Sequence, residues 1–369
     1  MTLHIFNPDH DLALASGLEN FTAPHAGRQL RHDLGWLPAL WANEDDYILV
    51  DDIQTALKGI RHRPVRSRHF VSYQQIASLP ITHIEPWGWN AALSAQLRRH
   101  GLKTEEYGLK TEDELEAIRQ LSHRRTASQL LPLLQTEGTV GEAAECATME
   151  EVLAFIDHYD KAVLKAPWSS SGRGIRFVQR STFNVQRSTS SVQRSTLDGW
   201  LSNTLQRQGS VMVEPLYTKV KDFGMEFYSD GKGSIMYLGL SLFHTSNGAY
   251  TGNVIATEQA KREILSHYLP TPLLDETQQR ICQHLGIMLK GKYQGPFGID
   301  MMVVRYSQSS IFNFQYSLHP CVEINLRRTM GHVALALGSI FNPTADDEIR
   351  HIMRINYLNN NYKLQIRRQ

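Results

Sequence analysis

Along the first hundred residues, short apolar runs alternate with longer amphipathic stretches. "LHIF" (3–6) breaks into "NPDHD", "YILV" (47–50) runs into Asp51 and Asp52, and "ITHIE" (81–85) ends at "PWGWN". The stretch "NAALSAQLRRH" (90–100) has helical spacing and closes on Gly101, a residue that ends helices because it enters the left-handed region without a steric cost. Short apolar strands separated by helices predict a parallel, doubly wound sheet. Ligands of such sheets sit beyond the carboxyl ends of the strands. In this chain those ends carry Asn7, Asp9, His10, Asp11, Trp87, Trp89 and Asn90.

The pattern changes twice further on. Residues 111–160 read as helical, and "TMEE" makes a helix start with Thr148 as cap and Glu151 at the third helical position. From 161 the texture becomes strand-like: "AVLKA", "GIRFV", "VMVEPL", "FGMEFYS", "SIMYLGLSLF", "FGIDMMVV" and "CVEINL" follow one another. Several are joined by hairpin-length turns such as the one holding Asp230 and Gly231. Amphipathic helices are predicted over 275–292 and 331–341. The second half therefore reads as an α+β unit on antiparallel sheets. The predicted divisions are an α/β domain over 1–110, a central unit over 111–212 and a C-terminal unit over 213–369.

One segment breaks the pattern. "VQRST" recurs at 178–182, 185–189 and 192–196, a strict seven-residue period. Each repeat offers one apolar residue, so no coiled-coil seam exists. The expected reading of 178–196 is a polar surface insertion extending a hairpin strand. An arm gripping phosphate with Arg180, Arg187 and Arg194 is the alternative.

Composition narrows the class. The 369 residues carry 38 Lys and Arg against 37 Asp and Glu, a formal net charge of +1. That balance argues against a nucleic-acid binder or a binder of membrane surfaces, both of which need a basic excess. Three scattered cysteines without a CxxC pair give neither a disulfide framework nor a zinc site. No signal-like start and no run of about 18 apolar residues is present. The expectation is a cytoplasmic protein, and a homodimer is allowed.

Chemistry concentrates in three places. "KAPWSSSGRGIRF" (165–177) reads as strand, small-residue loop, strand. It lacks the helix that follows a P-loop or dinucleotide fingerprint. Its loop could still form an anion nest with Lys165 as a point charge, or be a plain turn. In "GIDMM" and "VEINLR", Asp300, Glu323 and Asn325 interrupt apolar strands. Glu323 and Asn325, two apart, face one way. Buried carboxylates need partners, and two carboxylates with an amide oxygen suit Mg²⁺ or Mn²⁺. Finally, "VMVEPLYTKVKDF" ends a strand at Glu214-Pro215, leaving backbone groups free to read an adenine edge, with Asp222 available for ribose hydroxyls.

The order of these elements resembles the ATP-grasp superfamily, and within it the carboxylate–amine ligases. The resemblance covers about 112–340 and implies that ATP lies between two α+β units. It implies that Arg125 (or its neighbour Arg124) takes the place of a first phosphate-binding lysine. Lys165 takes that of the second. Ser169, Ser170, Ser171, Gly172, Arg173 and Gly174 form the phosphate lid, Glu214 and Leu216 the adenine hinge, and Asp222 the ribose acid. Asp300, Glu323 and Asn325 are the implied metal ligands, and Arg327 or Arg328 the residue at the transferring phosphate. Gly298 stands where some ligases have an arginine, and the 305–318 connection looks like an addition. The implied activity joins a carboxylate to an amine through an acylphosphate, releasing ADP and phosphate. Asp9, His10, Trp87 and Asn90 are the candidates for substrate contact, and the loop 244–253 could cover it. A kinase on the same fold and a non-catalytic nucleotide-binding module are the competing functions.

Overall fold

The computed structural model describes residues 1–61, 63–169, 174–183, 191–246, 249–305, 315–341 and 350–368; the side chains of residue 105 and of residues 182–196 lie outside this description. Four short strands, β1 (Thr2–Ile5), β2 (Tyr47–Leu49), β3 (His69–Val71) and β4 (His83–Pro86), pair in parallel in the order β3-β2-β1-β4. The chain moves outward through β2 and β3 and then crosses back, so the ends of β1 and β4 become neighbours. There Asn7 clasps the far strand, its Nδ2 donating to the Gly88 carbonyl at 2.8 Å. Asn90 accepts from the Leu93 amide at 2.9 Å and caps the helix Ala91–Arg99, as its short polar side chain favours.

The next sheet is antiparallel. Strands β5 (Ala144–Cys146), β6 (Lys161–Lys165), β7 (Ile175–Gln179) and β8 (Val211–Pro215) lie in the order β5-β8-β6-β7. Period-two alternation splits its faces. Ala162, Leu164, Val211 and Val213 pack on Val152, Ile156 and Leu201 in a core of their own. The register places Val163, Lys165, Ile175, Phe177, Met212 and Glu214 on the other face. The strand–loop–strand expected over 165–177 is this β6–β7 hairpin.

The third sheet has seven antiparallel strands: β9 (Thr218–Ser229), β10 (Ile235–Ser246), β11 (Ala249–Ile255), β12 (Gly295–Arg305), β13 (Tyr316–Asn325), β14 (His351–Leu358) and β15 (Asn361–Arg368), ordered β13-β12-β9-β10-β11-β14-β15. One face buries Phe223, Met225, Phe227, Ile299, Met301 and Ile324 in the main core, shared with Leu274, Ile281 and Leu285 of the helix Thr271–Leu289. An α/β unit on a parallel sheet, followed by units on antiparallel sheets, is the expected fold class.

Two expectations shift. The helix placed at 275–292 runs from Thr271 to Leu289, because Pro272 in its first turn removes an amide that would be unbonded anyway. The described residues of the repeat are not a polar extension of a hairpin strand. Val178 is buried in the central core, Arg180–Phe183 form a helical turn, and the helix Ser191–Gln208 opens on the third repeat. Residues 184–190 lie outside the described residues. Among the described residues no helix is long and apolar enough to cross a membrane.

Candidate functional site

The site begins with the second face of the seven-stranded sheet. Alternation that buries Phe223, Met225, Ile299 and Ile324 turns Asp222, Gly224, Glu226, Gly298, Asp300, Glu323 and Asn325 the other way. Register then fixes neighbours. Gly224, Asp300 and Glu323 form one cross-strand row, and Glu226, Gly298 and Asn325 the next. Like charges directly opposite one another are unfavourable. Burial first, and then the Glu323 and Glu226 charges, push the Asp300 carboxyl up to about 8. Asn325 donates from Nδ2 to Asp300 Oδ2 at 3.2 Å. Two carboxylates and an amide are hard oxygen donors of the kind that fit a divalent cation such as Mg²⁺. Among the described residues no group of three or more His, Cys, Asp or Glu surrounds a common point, so other ligands would be water or substrate oxygens.

Arg327 and Arg328 part company. Arg327 grips Asp11 with both ends, Nε to Oδ1 and Nη2 to Oδ2, each at 2.8 Å, and Nη2 also reaches Asn325 Oδ1 at 2.9 Å. Burial alone would raise the Asp11 carboxyl; Arg327 offsets this and holds it below its ordinary value. Arg328 turns away, onto the Glu85 carboxylate and over the Trp41 ring at 4.6 Å. Its expected place at a transferring phosphate is thereby corrected: its guanidinium is committed to the N-terminal sheet.

The opposite wall is the open face of the central sheet. Lys165 Nζ donates to both oxygens of Glu214 at 2.6 Å, in a buried pair. Glu214 therefore serves as the counter-ion of Lys165 and does not stand free for an exocyclic amine. Leu216 commits its amide to the Lys161 carbonyl at 3.1 Å. Asp222 shares one oxygen between Lys219 Nζ and the Thr245 hydroxyl. Phe177, 60% exposed on the same face as Lys165, offers an apolar platform. Gly174 closes the hairpin by accepting at its carbonyl from the Ala166 amide at 2.8 Å. Ser170, Ser171, Gly172 and Arg173 lie outside the described residues, so the lid is known only at its base.

Arg124, not Arg125, enters the cleft. Arg125 lies against Glu145 at 2.9 Å and His123, on the outer side. Arg124 is 7% exposed; its Nη1 donates to the Ala166 carbonyl (2.5 Å) and Ser169 Oγ (2.7 Å), and its Nη2 to Glu323 Oε1 (2.8 Å). It thus joins the base of the small-residue loop to the acid wall.

The N-terminal candidates divide as well. His10 lines a narrow cleft with Asp11, Ser169, Glu323 and Asn325. The cleft measures about 20 Å³, room for about one water. Burial pushes the His10 imidazole down to about 4, and Asn90 Nδ2 lies 3.2 Å from its Nδ1. Asn90 is thus occupied by capping and by His10. Trp87 packs edge-on against Phe6, centroids 5.0 Å apart, and borders a separate cavity of about 320 Å³ with Glu85, Trp89, Lys110, Tyr228 and Tyr293. Asp9 gives its carbonyl to the first turn of the helix His10–Ser16 and is not among the described residues that line the cleft.

The sequence reading placed Asp11 at a strand end but gave it no role, since its partner is 316 positions away, and it passed over Glu226. Glu226 is 3% exposed and lies 2.9 Å from His332 Nδ1 through Oε2. Its carboxylate fills the space above two glycines: a Cβ on Gly298 would fall 2.5 Å from one oxygen, and a Cβ on Gly331 would fall 1.9 Å from the other. The period-two pattern running Asp222, Gly224, Glu226 could have found it.

No protein-family model matches the chain, and no curated protein matches it. Solved structures overlap it loosely. N5-carboxyaminoimidazole synthetase from Staphylococcus aureus, complexed with ADP, superposes with a TM-score of 0.48 at 11% identity, covering 96% of this chain and 82% of that one. The biotin carboxylase domain dimer of Hydrogenobacter thermophilus 2-oxoglutarate carboxylase, in complex with MgADP, ADP and bicarbonate, gives 0.49 at 11%, covering 88% and 72%. An Archaeoglobus fulgidus protein provisionally described as belonging to the ATP-grasp superfamily gives 0.48 at 12%, covering 100% and 99%.

Proposed function

We propose that this chain is an ATP-dependent carboxylate–amine ligase of the ATP-grasp kind, with nucleotide held between the units spanning 111–212 and 213–369. One observation carries the reading: buried Arg124 ties the base of the loop after Lys165 to Glu323. The base of that loop and the acidic wall therefore meet at a single cleft although they lie far apart in sequence. On this reading Lys165 meets the phosphates, with Glu214 fixing its position. Asp300, Glu323 and Asn325 would hold Mg²⁺, which would supply charge neutralisation to the nucleotide phosphates. Arg327, fixed by Asp11, presents its guanidinium where negative charge develops on the transferred phosphoryl group. Phe177 and the strand end at Glu214–Leu216 flank the purine.

The carboxylate substrate takes the γ-phosphoryl group as an acylphosphate, and ADP remains. The amine attacks the acyl carbon, the C–O bond to phosphate breaks, and an amide and phosphate leave. Water must be kept out in between. His10 lines the cleft on the side where the acceptor would enter. The test is ADP release from MgATP across a panel of amino acids and small acids, with mass spectrometry of the products. An amide with free phosphate supports the ligase. A phosphorylated acceptor that persists overturns it in favour of a kinase.

A further inference from the structure

The resemblance already sets Arg124 or Arg125 against a phosphate; we propose that in this chain Glu323 holds Arg124 in reserve until a divalent cation takes that carboxylate. The proposal rests on the nucleotide reading above. Arg124 sits at the cap position of the helix Arg125–Leu134 and is almost wholly buried. Its guanidinium is used unevenly. Nη1 is fixed by the Ala166 carbonyl and the Ser169 hydroxyl, at the root of the small-residue loop. Nη2 rests on Glu323 at 2.8 Å, and Nε is buried with no hydrogen-bond partner among the described residues. One end is thus an anchor, while the rest of the fork can change partners. A guanidinium fork matches phosphate geometry as well as it matches a carboxylate.

Glu323 has two claims on it. It faces Asp300 across the strand pair and so belongs to the candidate cation site. It is also the acid that holds Arg124. A divalent cation on Glu323 brings a second positive group against the guanidinium, and the repulsion is strong in a partly buried site. Arg124 then leaves Glu323, pivots on Nη1 and takes a phosphate oxygen. One pair is exchanged for two: Arg124 with Glu323 becomes cation with Glu323 and Arg124 with phosphate. No charge is left uncompensated, and the exchange takes place beside the 20 Å³ cleft that Glu323 and Ser169 line. Lys165 behaves differently, because its partner Glu214 has no claim from the cation. Linkage requires metal and nucleotide each to raise the affinity of the other by the same factor.

The test is a calorimetric titration of ADP into wild type, Glu323→Gln, Arg124→Gln and the double variant, with Mg²⁺ and with EDTA. Wild type should bind ADP weakly in EDTA and about tenfold or more tightly with Mg²⁺. Glu323→Gln should bind metal-free ADP about tenfold better than wild type, because Arg124 is already free. In the Arg124→Gln background that gain should shrink to less than about twofold. Arg124→Met, which keeps the buried stem, replaces Arg124→Gln if the latter does not fold. A gain of equal size in both backgrounds overturns the proposal, since loss of one negative charge then explains it. Tight, metal-independent ADP binding by wild type also overturns it while leaving the nucleotide reading intact. No ADP binding under any condition overturns both.

Discussion

On the wall built by β6 and β8, Lys165 is neutralised inside its own sheet by Glu214, one strand away. On the wall built by β9, β12 and β13, Asp300 and Glu323 face each other, and among the described residues neither pairs with a cation of its own sheet. Their positive partners arrive from elsewhere: Arg124 from the central unit, and Arg327 from the turn after β13, itself held by Asp11 of the N-terminal unit. The basic wall is electrostatically complete and built by local pairing. The acidic wall is complete only when three parts of the chain meet. The first arrangement stores a charge; the second waits for one.

The comparison can be broken from either side. The largest effect belongs to the complete wall. Glu214→Ala leaves the Lys165 ammonium buried and unpaired, which should cost about 3–5 kcal/mol, whereas replacing both by apolar residues (Lys165→Met with Glu214→Leu) should recover most of it. Denaturant unfolding of the single and double variants checks this, and a single variant as stable as wild type would mean that Lys165 finds another partner.

Next comes the incomplete wall. MgADP at a hundred times its Kd should stabilise wild type by about 2.7 kcal/mol, visible as a rise in Tm. Asp300→Asn should remove most of that rise, as should Lys165→Ala; retention of the rise in Asp300→Asn would place the cation elsewhere. Asp11→Asn should cost about 1.5 kcal/mol by removing the charged partner of Arg327. Through misplacement of that guanidinium it should lower kcat more than it raises KM in ligase turnover, and Asp11→Glu should partly restore the loss.

The last test is on pH, and it bears on the acidic wall alone. The Asp300 carboxyl lies at about 8 in the folded protein against an ordinary 3.8, so the folded state holds a proton that the unfolded state gives up. Stability without metal should be fullest below about pH 4 and decline as pH rises through about 8. Thermal melts in EDTA should show this decline, flattened in Asp300→Asn.

The period-two pattern made much of this legible. Lys165, Asp300, Glu323 and Asn325 stood out because polar groups in apolar strands must share a face, and the sheets place them as that rule requires. What stayed hidden depended on contacts between distant segments. Arg124 and Arg125 are adjacent at a helix start, and only the packing of that helix decides which one turns inward. Asp11 sat among three other polar residues in "NPDHD", with nothing local to name its partner. Phe177 looked like any strand residue. The "VQRST" repeats misled because composition suggested solvent, while Val178 belongs to the central core.

The carboxylate of Glu226, pressed against Gly298 and Gly331, makes these three positions one unit of inheritance. A side chain gained at 298 or 331 must be accompanied by a shorter residue at 226. Relatives of this chain should therefore fall into two groups, one with the acid on β9 and bare backbone at both other positions, the other with the bulk moved onto β12 or the helix Met330–Phe341. Sorting sequences by that triplet would group them by the architecture of the acidic wall, even where overall identity is too low to align them.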